Sequence, residues 1–130
     1  MKKILIVVSR YNDTNFLLNS TKQVLTKTKI KFKTIKVNGA FEIPVTISRN
    51  IKKFDAFIAL GIIIKGETLN FEFISQAITN GLMNLSISSK KPIGNGILTC
   101  YDSQQAIKRS NKGAEAAEAV IDVLNQKLLW

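Results

Sequence analysis

Four short stretches hold the residues able to do chemistry. Ser9-Arg10-Tyr11-Asn12 sets an aromatic ring beside polar side chains, a pairing that can stack on a planar heterocycle. Asn38-Gly39-Ala40-Phe41-Glu42-Ile43-Pro44 offers a second ring, Phe41, and a carboxylate, Glu42, that can accept hydrogen bonds from hydroxyl groups. Lys65-Gly66-Glu67-Thr68 stands just before a long helix-forming stretch. A helix N-terminus there would present free N–H groups and the positive end of its dipole to an anion. The motif is too short to count as a phosphate-binding P-loop. Lys108-Arg109-Ser110-Asn111-Lys112-Gly113 places cations at another helix start, the second half of an anion site. Taken singly, each stretch is equally an ordinary turn, cap or solvated basic segment. Brought to one place, they describe a pocket for a small phosphorylated substrate held beside a flat ring.

The elements between these stretches determine whether they meet. Ile4-Leu5-Ile6-Val7-Val8 is a continuous apolar run, the mark of a strand buried on both faces of a parallel sheet. Asn12 and Asp13 can cap a helix over residues 14–27, with Leu17, Val24 and Leu25 on one face. Residues 30–37 alternate apolar and polar, as an edge strand does, and Asn38-Gly39 marks a turn. Pro44 suits the first turn of a short helix reaching residue 52. Residues 56–64 form the strongest strand, by pattern the central one. A helix over residues 68–88 carries Ile74, Ala77, Ile78, Gly81, Leu82 and Leu85 as its buried stripe. Because no charged residue lies between Phe73 and Ser89, that helix is expected to pack on both sides, one of them against another subunit. Residues 93–99 read as a fourth strand, in which Gly94 and Gly96 imply close backbone approach. The last helix spans 111–128, with Ala117, Val120, Ile121, Leu124 and Leu128 apolar, and Trp130 is expected to pack locally. Strands alternating with helices predict a three-layer α/β sandwich, a four-stranded parallel sheet with helices on both faces. Ligands bind such sheets beyond the carboxyl ends of the strands, which selects loops 9–13, 38–44, 65–70 and 100–113.

Composition bounds the function. The 130 residues fit a single domain, 1–130. The apolar start is too short for a secretory leader, and the longest apolar run is far short of the ~20 residues of a membrane span. Cys100 is the lone cysteine, which excludes an internal disulfide and fits the cytoplasm. A net charge of +10 suggests nucleic acid, but Lys outnumbers Arg 16 to 3 and the lysines are scattered apart from the cluster at 27–36. Composition therefore argues against a nucleic-acid partner. The chain has no histidine, the usual proton carrier near neutral pH.

Val8-Ser9-Arg10-Tyr11-Asn12, Gly39-Ala40-Phe41-Glu42-Ile43-Pro44, Ala59-Leu60-Gly61 with Lys65-Gly66-Glu67-Thr68, Gly96-Ile97-Leu98-Thr99, Gln105-Ala106-Ile107-Lys108-Arg109 and Asn111-Lys112-Gly113-Ala114-Glu115-Ala116-Ala117 resemble, in order and over nearly the whole chain, the lumazine synthase family. The resemblance implies a flavodoxin-like fold and a reaction of riboflavin synthesis. In it, 5-amino-6-(D-ribitylamino)uracil condenses with 3,4-dihydroxy-2-butanone 4-phosphate to give 6,7-dimethyl-8-ribityllumazine, phosphate and water. It implies no metal and no cofactor. It implies a ring of five subunits with active sites between neighbours, and riboflavin synthase as a partner. Tyr11 would stack on the pyrimidine, where the family usually has Phe. Asn12, Ala40, Phe41 and Glu42 would line the pyrimidine and ribityl pocket, with Ile62, Ile63 and Ile64 as its wall. Gly66, Glu67, Thr68 and Arg109 would hold the phosphate, Glu115 would orient Arg109, and Lys112 would come from the neighbouring subunit.

Departures accompany the resemblance. Asn70 stands where the family usually carries the histidine thought to move protons, and Asn95 where many members have Phe packed near the ring. Asn cannot titrate; it can only position or hydrogen-bond. The segment between Arg109 and Asn111 is shorter than usual, and the N-terminal stretch that often pairs with a neighbour's sheet is almost missing. The expectation is an active but slower enzyme with Asn70, Arg109 and Lys112 at its chemistry, and a ring rather than a full shell. A homologue that binds flavin-like ligands without turnover, and a basic nucleic-acid module, are the alternatives.

Overall fold

The computed structural model describes residues 1–67 and 70–129. Four strands, β1 (Lys3–Ser9), β2 (Lys31–Val37), β3 (Ala56–Ile64) and β4 (Ile93–Cys100), form one parallel sheet in the order β2-β1-β3-β4. In register, Ser9 pairs with Val37 and Ile64 with Cys100, so the strands end along one edge. Five helices connect and follow them: α1 (Asn15–Leu25), α2 (Ile43–Arg49), α3 (Phe71–Ser89), α4 (Ser103–Lys108) and α5 (Lys112–Leu124). This is the three-layer sandwich the alternation predicts and the flavodoxin-like fold the resemblance implies.

Alternate residues of the two central strands feed the two layers. Ile4, Ile6 and Val8 of β1, with Ile58, Leu60 and Ile62 of β3, meet Leu17 and Leu25 of α1 and Ala116, Ala117 and Val120 of α5. Leu5 and Val7, with Phe57, Ala59 and Ile63, meet Ile43 and Ile47 of α2 and Ile78 and Leu82 of α3. Every residue of β3 is buried. Burying each such aliphatic side chain stabilises by about 1.5–3 kcal/mol, which is why the unbroken apolar runs went to the middle of the sheet.

Several boundaries and faces differ from the sequence expectation. α1 starts at Asn15, and its N-cap is Thr14, whose hydroxyl donates to the Ser9 carbonyl at 2.7 Å instead of capping the helix. Asp13 contributes an Asx turn, accepting from the Asn15 N–H. A 3-10 turn, Ala40–Glu42, precedes α2, which ends at Arg49, earlier than expected. α3 begins at Phe71, and Ala77, assigned to its buried stripe, is exposed. α4 was not anticipated. Its signal is a reciprocal cap: the Asp102 carboxylate accepts from the Gln105 N–H at 2.9 Å, and the Gln105 side chain accepts from the Tyr101 N–H at 2.7 Å. α5 stops at Leu124, so Leu128 lies beyond the helix and is exposed rather than part of its stripe. Trp130 lies outside the described residues.

Close approach, foreseen at two glycines of β4, is tightest elsewhere. A Cβ at Gly94 would sit 2.6 Å from the Ala116 carbonyl oxygen, and one at Gly96 2.4 Å from Leu60 Cδ2. A Cβ at Gly113 would sit 2.2 Å from the Leu17 carbonyl oxygen and 2.6 Å from the hydroxyls of Ser20 and Thr21. α1 and α5 therefore touch through bare backbone at the start of α5. Backbone on both sides leaves little room to relax, so Gly113→Ala is expected to cost about 1–3 kcal/mol. Denaturant unfolding of the variant measures it; a midpoint equal to that of the parent chain would show that the two helices can move apart freely.

Candidate active site

The edge where the strands end carries a cavity of about 180 Å³ lined by Tyr11, Asn12, Gly39, Ala40, Phe41, Ile62, Ile63, Ile64, Glu67 and Ile74. Each wall has a local cause. β1 ends at Ser9, and Tyr11 follows with its ring largely exposed. Gly39 is extended, and its N–H donates to Glu42 Oε1 at 3.0 Å, which closes the 3-10 turn that projects Phe41. Gly61 lets that turn come near: a Cβ there would meet Ser9 Oγ at 3.0 Å and Ala40 Cβ at 3.4 Å. The Ser9 hydroxyl beside it is buried and lacks a hydrogen-bond partner. Ile62, Ile63 and Ile64 end β3 as the wall.

Asn12 governs the mouth. Among the described residues it is one of two non-glycine residues with positive φ, at 68°, a conformation Asn tolerates far better than most residues. Its side-chain amide donates to the Ile62 carbonyl at 3.3 Å, strapping the loop after β1 to the end of β3. On the opposite face of the same strand end, Asn12, Ile62 and Ile64 share a second cleft of about 110 Å³ with Phe16, Ala106 and Ile107. Asn12 is thus the partition between the two hollows.

Of the residues singled out from sequence, Tyr11, Asn12, Ala40, Phe41, Ile62, Ile63, Ile64 and Glu67 come together in one chain. Glu67 lines the same cavity as the apolar wall residues. Glu42 does not line the cavity; its carboxylate is committed to the Gly39 N–H. Asn95, Arg109 and Lys112 do not line it either. Asn95 is exposed on β4, where its side chain accepts from the Ile97 N–H at 3.1 Å. Arg109 follows α4 and lies near Cys100: burial raises the pKa of that thiol and the Arg109 charge opposes the rise, while Asp102 adds to it. Among the described residues of the single chain, no ion pair joins Glu115 to Arg109. Asn70 is the N-cap residue of α3, exposed and not among the cavity's lining residues. Gly66 is in the exposed 3-10 turn Lys65–Glu67, and Thr68 lies outside the described residues. Lys65 Nζ sits 5.3 Å from the centroid of the Tyr101 ring, tying this turn to the loop after β4. Ile74 of α3 is a lining residue that sequence reasoning assigned only to the core. A wider groove of about 410 Å³ exists at the start of β4, among Ile87, Lys90, Pro92 and Val123. It is at the opposite end of the sheet from every loop with chemistry.

Two groups therefore exist: an aromatic and aliphatic half-pocket with one carboxylate, and a separate cationic group after β4. Comparison with known proteins places this arrangement. A family model described as 6,7-dimethyl-8-ribityllumazine synthase matches residues 1–127. The chain is 40% identical to a 6,7-dimethyl-8-ribityllumazine synthase of Buchnera aphidicola subsp. Baizongia pistaciae, over 95% of this chain and 86% of that one. It is 38% identical to the protein of the same name from Zymomonas mobilis, over 98% and 97%. Among solved structures, a 3-dehydroquinate dehydratase-like protein from Bifidobacterium longum superposes with a TM-score of 0.58 at 10% identity, over 97% of this chain and 100% of that one, a likeness of fold alone.

The Asn12 strap yields a graded expectation. Asn12→Gly keeps the backbone conformation and loses only the amide, whereas Asn12→Ala loses the amide and also bears the left-handed strain, about 1 kcal/mol more. Urea unfolding of the two variants measures the gap, and an alanine variant as stable as the glycine variant would refute the strain.

Proposed function

The chain belongs to the 6,7-dimethyl-8-ribityllumazine synthase family, transferases of riboflavin biosynthesis, and from that premise we propose how its site works. The half-pocket takes the 5-amino-6-(D-ribitylamino)uracil, with Tyr11 and Phe41 stacking on the ring against the wall of Ile62, Ile63 and Ile64. The 3,4-dihydroxy-2-butanone 4-phosphate is held by its phosphate at Arg109 and at the N–H groups around Gly66 and Thr68. The observation that carries this reading is the aromatic half-pocket itself, at the strand ends where an α/β sheet binds ligands.

The same observation supports a site shared between copies. A cavity of about 180 Å³ is below the ~300–1,000 Å³ of pockets that enclose a ligand of this size. The cationic Arg109 and Lys112 and the polar Asn95 are outside it, available to a neighbour's half-pocket. α3 leaves Phe73, Met83 and Ile87 exposed on a helix whose only charge is Glu72, a face suited to a second copy. The ring of five with sites between neighbours follows from the family, as does a place in the cytoplasm and, as partner, riboflavin synthase. No described helix is long and apolar enough to cross a membrane.

Catalysis without histidine is energetically reasonable. Holding two reactants in register is worth ~7–11 kcal/mol of barrier, whereas acid–base help typically adds about 10²–10⁴-fold. Positioning by the phosphate grip then dominates.

Mixing purified protein with both substrates and following lumazine formation against a protein-free background is the direct test. Product above background is expected, with Arg109→Ala losing more turnover than Asn70→Ala and Asn70→His gaining some. Tight ligand binding with a flat trace would instead identify a binder that has lost turnover. Met83→Glu is expected to break the ring, read by sedimentation, and to abolish turnover while the far-ultraviolet dichroism stays native. An intact ring in that variant would place the interface elsewhere.

A further inference from the structure

The half-pocket of one chain holds few groups that can carry a proton. The chain has no histidine, and the described residues lining the cavity include only two ionisable side chains, Tyr11 and Glu67. A carboxylate is a common general acid–base group. Glu67 ends the 3-10 turn after β3 and lines the cavity together with Phe41, Ile63, Ile64 and Ile74. The cation nearest in sequence, Lys65, is directed over the Tyr101 ring instead. Among the described residues lining the cavity, Glu67 therefore carries the one carboxyl side chain, and no described residue forms an ion pair with it.

Resting on the synthase reading above, we infer that Glu67 is the proton-transfer residue of this site. Condensing an amine with a ketone needs two transfers in the same direction, from nitrogen to oxygen. The amine lone pair forms the C–N bond as the carbonyl π pair moves to oxygen. The Glu67 carboxylate takes one N–H proton and gives it to that oxygen, forming the carbinolamine. In the second transfer the remaining N–H proton passes through the same carboxylate to the hydroxyl, which leaves as water while the nitrogen pair forms C=N. The carboxylate ends each transfer ionised as it began, so no co-reactant is consumed.

Steady-state kinetics on the full chain test the assignment. Glu67→Gln keeps size and polarity but cannot accept a proton, and is expected to lower kcat about 100-fold with little change in either KM. Glu67→Ala should lose as much and regain turnover when formate or acetate is added, a rescue that a purely structural role would not give. Dichroism of both variants checks that they fold. Wild-type turnover retained in Glu67→Gln, a loss confined to KM, or a loss that falls on Tyr11→Phe while Glu67→Gln is spared would each overturn the inference. A wild-type chain that makes no lumazine above background removes the synthase reading itself, a result distinct from any of these.

Discussion

The constraint on which the rest depends is the double burial of β3. All nine of its residues are covered, with β1 and β4 on its two edges and a helical layer on each face. A parallel strand in that position has no face to give to solvent, so it must be apolar throughout. Its last three residues, Ile62, Ile63 and Ile64, then meet two demands at once. Ile62 and Ile64 belong to the layer with α1 and α5, Ile63 to the layer with α2 and α3, and all three wall the cavity. Specificity at this wall cannot be adjusted without touching the core. Adaptation is left to the loops.

Those loops show where the sequence was legible. The apolar runs at 4–8 and 56–64 announced the central strands because their composition admits no other placement. The turn at Asn38-Gly39 and the projection of Phe41 followed from local chemistry. The double role of Glu42 did not: a carboxylate three residues after Gly39 is a hydroxyl acceptor or a cap, and only geometry shows that it closes the turn at 3.0 Å. α4 was missed because the stretch was read for its charges, while its start signal, Asp102 with Gln105, is polar and lies outside the basic cluster. Leu128 was placed on a helix face by spacing alone, and spacing does not say where a helix stops.

The proposed shared site accounts for the separation of Asn95, Arg109 and Lys112 from the half-pocket. Motif order along a chain reports which residues a family uses and is silent on which copy supplies them. A head-to-tail ring lets one surface of the chain complete another surface of its neighbour, so residues of one site need not meet within one chain. α3 carries Glu72 as its one charge, which fits the proposed contact with a second copy. Charge is costly to bury at an interface core, and α3 avoids it along the face that Met83 and Ile87 leave exposed.

Shared sites and weak acid–base equipment fit together physically. When reactants are held by groups from two rigid copies, their relative position is set by the interface rather than by any one flexible loop. Positioning is then obtained from the assembly, and the chemical groups can be few. The Asn12 strap and the glycines behind it serve this rigidity on the chain's own side: the left-handed Asn12 fixes where Tyr11 leaves β1, and Gly61 lets the Ala40 turn settle against β3. A site built this way can change its proton carrier and keep most of its rate enhancement, because the larger part comes from geometry that the carrier does not provide.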